Sequence, residues 1–291
     1  MRRRFSVLDP ETLILSCDSD YNRDREINWV WGYDLLREEE ILVPACAVYH
    51  PYHEDRTLLF TTHTNGIAAG NTMEEAVIHG LAEVIERDAW SIARYTSSFT
   101  DALFIENRPE NQFIIEIFGK LEAADIEIVA KDITSDIGVP VIAAFSRDLI
   151  HRRMLPIDGL GAHLDSRVAM VRALLEITTT RALFLQKHGL EGMQGSPLYL
   201  GDGDDGQDPR FYAYGQKSLS ELEVGYSQDI LMDIRSIMKR LSSRGLTRVI
   251  AVNLTREDVG IPTVRMIVPG METYCFDDTR VGERASMVWQ G

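Results

Sequence analysis

"NTMEEAVIHGLAEVIERDAW", residues 71–90, sets five acidic residues beside a strongly apolar stripe. At about 100° per residue, Glu86 lies about 20°, His79 about 40°, Glu83 about 80° and Arg87 about 120° from Glu75. Val77, Leu81, Val84 and Ile85 fall on the opposite side. The stretch therefore predicts one helix from about Thr72 to Tyr95, with three carboxylates on one narrow arc. Glu74 and Asp88 lie off that arc. A row of Glu on a helix reads first as a solvated face. Thr72-x-x-Glu75 also fits a capping box, and Glu83 with Arg87 fits an i,i+4 ion pair.

Working outward, short strands are predicted at 12–16 (TLILS), 41–49 (ILVPACAVY) and 57–62 (TLLFTT), and 28–40 reads as strand then loop. "HTNGIAAGN" at 63–71 reads as a turn. Residues 110–124 form an amphipathic helix with Phe113, Ile114, Ile117, Phe118 and Leu121 on one face. "IEIVAKDIT" and "VPVIAAFSRD" follow as adjacent strands. "GAHLDSRVAMVRALLEITTTRALFLQKHG" predicts a second long helix, capped by Asp165 or Ser166 and stopped at Gly189. "GDGDDGQDP" at 201–209 reads as an acidic loop and 227–243 as a third helix. "TRVIAVNLT" and "PTVRMIVPG" close the chain as strands. The pattern gives one α/β domain over 1–291, a mixed α+β arrangement of sheets packed by helices.

Composition narrows the functional classes. The net charge of −15 argues against a general affinity for nucleic acid. It leaves room for a small anion such as ATP, held by a few arginines and by metal ions on carboxylates. No apolar run approaches the roughly 18 residues of a membrane span. Cys17, Cys46 and Cys275 show neither metal-ligand spacing nor a disulfide framework, so reduced, buried, inert thiols in a cytoplasmic protein are the plain expectation. No protein nucleophile stands out.

The sharper reading of the arc is a metal–phosphate site, because three like charges repel unless something positive sits among them. Mg²⁺ takes oxygen ligands and bridges to phosphates, and a small-residue turn before a helix N-terminus suits an anion. "TNGIAAGNTMEEAVIHGLAEVIERDAW" resembles the signature segment of the YcaO superfamily, and "VRALLEITTTRALFLQ" is similar to a second family segment. The resemblance implies a YcaO-like fold and an ATP site in which glutamates bind the nucleotide through Mg²⁺. It implies nucleotide or phosphate contacts for Asn71, Glu75, Arg87 and Arg172, with Arg181 a further candidate. It implies Mg²⁺ ligands at Glu75, Glu83, Glu86 and Glu176, and a place near substrate for His163; for His163 a structural role stays open. His63, just before the turn, is a candidate substrate contact.

The resemblance also implies a reaction. A nucleophile adds to a peptide backbone carbonyl, ATP phosphorylates the oxygen, and phosphate leaves. A Cys, Ser or Thr side chain as nucleophile gives an azoline, and external sulfide gives a thioamide. The central motif and "RMIVPGMETYCFDDTRVGER" most resemble the archaeal, TfuA-associated branch. That implies thioglycine formation in the methyl-coenzyme M reductase alpha subunit, with a TfuA-like partner, a sulfide donor and a homodimer. Azoline formation and a non-catalytic, partner-binding YcaO-like chain are the alternatives. The chain departs from the pattern by starting after the family's N-terminal region, which carries a G-K-G-like turn and a second glutamate helix, and by lacking a P-x-P-x-P tail. About half of the expected metal–nucleotide ligands are therefore absent, which implies either a truncated form or a shorter protein that needs a partner to complete the site. Locally, Glu83→Gln or Glu86→Gln is expected to abolish Mg²⁺-dependent ATP binding with the fold intact, and Glu74→Gln to do little, in nucleotide titrations.

Overall fold

The computed structural model of the chain describes residues 6–99, 101–150, 156–188, 209–212, 215–222 and 225–288. In chain order it contains β1 (Ser6–Val7), β2 (Trp29–Asp34), β3 (Glu39–Pro44), α1 (Ala45–Val48), β4 (Ile67–Ala69) and α2 (Met73–Thr96). Then come β5 (Asp101–Phe104), α3 (Gln112–Glu122), β6 (Ile126–Asp132), β7 (Val141–Asp148), β8 (Ile157–Ala162) and α4 (Ser166–His188). The chain closes with β9 (Gly215–Ser218), α5 (Ile230–Ser243), β10 (Ile250–Asn253), β11 (Thr263–Ile267) and α6 (Glu283–Val288). Two compact units lie inside the span read as one domain. Met1–Ser97, Ser135–Ile137 and Ser227–Gly291 form the first, and Ser98–Thr134 with Gly138–Tyr226 the second. No described helix is long and apolar enough to cross a membrane.

The first unit is built on a six-stranded sheet in the order β1-β3-β2-β10-β11-β4. Its pairings are antiparallel except for β1 with β3. Leu8, Ile41, Val43, Val48, Leu59, Ile250 and Val252 form one core against it. Two predicted strands are absent. At 10–13 the chain makes a 3₁₀ turn, because Asp9 accepts the Glu11 N–H and Pro10 sits in the first turn; Ile14 then turns left-handed at φ 55°. At 57–62 there is no strand, although Leu59 and Phe60 are buried; a short apolar run reports burial better than it reports period. The predicted strand 41–49 ends at Pro44 and continues as α1, and β4 lies inside the stretch read as a turn.

Helix α2 starts where the sequence places it. The Thr72 hydroxyl accepts the Glu75 N–H at 3.2 Å. The helix packs on β11 and β4, and Gly80 permits the approach: a Cβ there would stand 2.7 Å from the Met266 side chain and 2.9 Å from the Gly66 carbonyl oxygen. Burial extends well beyond the apolar stripe. From Val84 to Ala93 every residue except Arg87 is buried. Asp88 lies at about 220° from Glu75, in the middle of that stripe. Its carboxylate accepts two hydrogen bonds from Arg284 on α6, at 2.9 and 2.8 Å, and the Glu272 N–H at 2.8 Å. Burial pushes the Asp88 carboxyl upward and the Arg284 bonds pull it back, while Asp88 and Asp136 hold the guanidinium charged against its own burial.

The second unit carries a five-stranded sheet in the order β8-β7-β6-β5-β9. Helix α4 lies on β8 and β7, and α3 on β6. Gly159 and Gly161 of β8 admit α4 at backbone distance, since a Cβ on either would run into the carbonyl oxygens of Ala173 and Ala169. Ala169, Met170, Ala173, Leu174 and Ile177 are fully buried on that face of α4. Asp165 is the N-terminal cap, accepting the Arg167 N–H on its side chain and the Ala169 N–H on its carbonyl. The predicted stop at Gly189 and the acidic loop at 201–208 lie outside the described residues.

Breaking the buried pair by Asp88→Asn leaves the Arg284 charge with only the half-exposed Asp136 carboxylate. The expected cost is about 3 kcal/mol, read as a lower urea midpoint at unchanged denaturant slope.

Candidate functional site

The arc on α2 meets the backbone that leads into it. Glu75 Oε2 accepts the Asn71 N–H at 2.7 Å and the Asn71 side-chain amide at 2.8 Å. His79 Nδ1 stands 3.3 Å from the Ala69 carbonyl oxygen, a contact that requires the Nδ1–H tautomer. Glu83 Oε2 accepts the Gly66 N–H at 3.2 Å. The arc thus descends residue by residue along the outer side of β4, the edge strand of the six-stranded sheet. An edge strand presents unpaired N–H and C=O groups; His79 meets one of them, the Ala69 carbonyl, and the glutamates meet the backbone just before and after the strand. The capping box is half formed: Glu75 reaches Asn71, one residue beyond the Thr72 cap. Those hydrogen bonds hold the half-exposed Glu75 carboxyl below the usual range.

Further along, Glu86 is 8% exposed and sits 3.2 Å from the Arg87 guanidinium. Arg87 thus has a carboxylate partner in its sequence neighbour. Sequence reasoning put Glu86 on a polar arc clear of the apolar stripe. The helix is enclosed on more sides at this depth, so a carboxylate on the arc is buried all the same.

His63 precedes this segment. Its Nδ1 accepts the Asn65 N–H at 3.3 Å and its carbonyl accepts from Arg265 at 2.8 Å. Its ring stacks on Phe276 at 4.5 Å between centroids. Burial, then the Arg265 charge, pushes its pKa down to about 3. Sequence reasoning missed Arg265 and Arg280, which are 3% and 1% exposed. The available signal was an arginine inside the apolar strand "TVRMI".

In the second unit, Glu176 accepts the Leu160 N–H at 2.5 Å, tying α4 to β8. Arg172 lies one turn before it and makes no ion pair among the described residues, so the i,i+4 pair with Glu176 is not formed. Arg181 is 9% exposed and donates to Asp148 at 2.8 Å. His163 Nδ1 accepts the Asp165 N–H at 2.9 Å, and its ring centroid lies 6.2 Å from that of Tyr226. Of the cysteines, Cys46 is buried, with its thiol pushed up to about 12 by burial. Cys275 is partly buried and also raised by burial. Cys17 is exposed, against expectation, because no strand forms beside it.

Whether these groups suit Mg²⁺ turns on spacing. Glu75 and Glu83 are eight residues apart, about 12 Å along a helix, and Glu83 and Glu86 are about 4.5 Å apart in rise. Among the described residues no three His, Cys, Asp or Glu groups converge as a ready metal cage. Mg²⁺ rarely uses such a cage; it is held by one or two carboxylates together with substrate phosphates and water. Carboxylates spaced along one helix face fit that mode. Glu83 with Glu86 would serve one ion and Glu75 another.

The chain has clear relatives. The profile of the YcaO cyclodehydratases, described as ATP- and Mg²⁺-binding, matches residues 4–272. A protein of Methanothermobacter thermautotrophicus is 36% identical over 95% of this chain and 73% of its own length. A protein described as lying in the tfuA 3′ region of Rhizobium leguminosarum bv. trifolii is 26% identical over 92% of this chain, which spans 66% of that relative. Among solved structures, YcaO from Methanopyrus kandleri, bound with AMPPCP and Mg²⁺, superposes with a TM-score of 0.77 at 29% identity, covering 97% of this chain and 72% of that one.

Glu83→Gln keeps an acceptor for the Gly66 N–H. It is expected to change stability by less than about 1 kcal/mol while weakening Mg²⁺-dependent nucleotide binding at least tenfold by calorimetric titration. Glu86→Gln is expected to lose nucleotide binding and, being buried, stability as well. The neutral His63 sets a pH dependence. The unfolded chain protonates this imidazole near 6.5 and the folded chain only near 3. Stability is therefore complete above about pH 6.5 and falls as pH drops toward 3. Urea midpoints between pH 7 and pH 4 should fall less in His63→Gln than in the parent chain.

Proposed function

From the membership of this chain in the YcaO family, we propose that it activates a peptide backbone amide with ATP and that external sulfide is the nucleophile, giving a thioamide. An amide oxygen is a poor leaving group, and phosphorylation turns it into a good one. Hydrosulfide adds to the carbonyl carbon, and the oxyanion takes the γ-phosphoryl of ATP. Collapse then forms the C=S bond and expels phosphate with loss of the sulfur-bound proton. The products are thioamide, ADP and phosphate.

The protein's contribution is positioning and electrostatics. Bound Mg²⁺ would neutralise phosphate charge, held by Glu83 and Glu86 and by Glu75. Asn71 fixes Glu75 through two hydrogen bonds. Arg87, against Glu86, supplies a cation next to the carboxylates. Arg172 makes no ion pair among the described residues, and we assign it a phosphate contact. Glu176 orients the same helix through the Leu160 amide. Arg181, already paired with Asp148, is the weaker phosphate candidate. His63 and His163 are assigned to the peptide side. No protein nucleophile is required, in keeping with the raised thiols of Cys46 and Cys275.

The observation that carries the general reading is the match across 4–272 together with the carboxylate arc on α2. The thioamide form draws support from the relative in the tfuA 3′ region and from the archaeal relatives. On that basis the proposed substrate is a glycine of the methyl-coenzyme M reductase alpha subunit, with a TfuA-like protein delivering sulfide to a homodimer. The family description as cyclodehydratases favours a second reading, azoline formation from a Cys, Ser or Thr side chain.

The test is intact-mass analysis of a glycine-containing peptide after incubation with the chain, Mg-ATP, sulfide and a TfuA-type partner. Replacement of one oxygen by sulfur is expected. Loss of water instead would establish the azoline reading, and an unchanged peptide with every component active in a control would overturn both.

A further inference from the structure

Beneath α2, within the first unit, is a cavity of about 50 Å³. Its walls include His63, Asn65, Val84, Arg265, Met266, Thr273 and Arg280. Four of these residues each carry a buried polar atom with no hydrogen-bond partner among the described residues: Asn65 Oδ1, Arg265 Nε, Thr273 Oγ1 and Arg280 Nη1. Asn65, Arg265 and Arg280 are 5%, 3% and 1% exposed. Buried polar atoms are almost always partnered. Four exceptions around one cavity point to something the cavity binds.

The charge around it is positive. Arg265 spends its other nitrogens on the His63 carbonyl and ring, at 2.8 and 3.4 Å. Arg280 donates to the carbonyls of Ile14 and Leu13, at 2.6 and 2.7 Å, and its guanidinium lies 4.3 Å from the centre of the Phe60 ring. Neither arginine forms an ion pair among the described residues. The nearby carboxylates are engaged with other groups. Glu83 accepts from Gly66, Asp277 from Ser16 and Thr279, and Glu272 from Gly282 and Ala285. Burial pushes both guanidiniums down to about 10, which is what two charged donors lacking a close anion would show. His63, neutral, adds no charge.

Size narrows the ligand. A cavity of about 150 Å³ takes benzene, with six heavy atoms, so one a third that size holds an ion of about one or two. We propose that this cavity is a binding site for a small monovalent anion of the halide and hydrosulfide class. Three of the unpartnered atoms are donors to the ion. Asn65 Oδ1, an acceptor, matches an anion that carries a hydrogen, and hydrosulfide is that member of the class. The hydrosulfide form rests on the thioamide reading; the anion site does not. The cavity then holds the nucleophile close to the arc, since Glu83 acts electrostatically on Arg265 and the next residue, Val84, lines the wall.

The experiment is diffraction from crystals of the full chain grown in sodium bromide, recorded at the bromine absorption edge. An anomalous peak in the cavity, within hydrogen-bonding distance of Arg265 Nε and Arg280 Nη1, is expected. Ordinary water density with no anomalous signal would overturn the site. Transfer of the same crystals to sodium hydrosulfide should remove the peak; a peak that persists would overturn the hydrosulfide form and leave a halide site. In solution, Thr273→Val should weaken bromide-dependent thermal stabilisation roughly fivefold in apparent affinity, and unchanged affinity would remove the hydroxyl from the site. A hydrosulfide-displaced bromide peak in a protein that forms no thioamide would keep the ion site and sink the thioamide reading alone.

Discussion

The Gly66 amide donates to Glu83 at the point where a left-handed turn, an edge strand and the long helix meet. The geometry there is tight. Gly66 adopts φ 81°, and a Cβ on it would clash with the Met266 carbonyl and approach the Val84 side chain at 2.9 Å. Only glycine gives that turn and that closeness together. With the turn set, β4 pairs with β11 on one side and lies under α2 on the other. The helix then reaches the backbone on either side of β4: Glu83 accepts from Gly66 before it and Glu75 from Asn71 after it. The glutamates that suit a metal–phosphate site are also the groups that hold the helix to its strand.

The capping reading of the arc is met in part. Glu75 does tie off the helix start, and it does so through Asn71, which the family resemblance placed at the nucleotide. Glu83 serves the strand edge before any ligand arrives. The carboxylates avoid mutual repulsion by distance along the helix and by contact with N–H groups and with Arg87.

Periodicity made the long elements legible. The helices α2, α3, α4 and α5 and the strands β6, β7, β10 and β11 stand close to their expected places because each repeats its apolar period over several turns or pairs. The failures have local causes. The Asp9-Pro10 start signal overrode the strand propensity of "TLILS", and β8, "IDGLGA", carries glycines that weaken a strand signal yet are required for contact with α4. Within the site, the arc was legible as an angle, and its burial was not. Single-helix geometry gives direction, whereas enclosure depends on what other elements bring. Asp88 shows the same limit from the other side: a carboxylate within an apolar stripe signals a buried cation, but its partner, Arg284, lies almost two hundred residues away in sequence.

The six-stranded sheet ends, at one side, in β4, three residues long with its Ala69 carbonyl met by His79 of α2, and at the other in β1, two described residues long. Among the described residues neither margin offers a long row of vacant amides and carbonyls. Such rows are what template strand addition, domain swapping and cross-β stacking. The short edge strand β4 and the helix beside it therefore leave little there for sheet-to-sheet aggregation to build on.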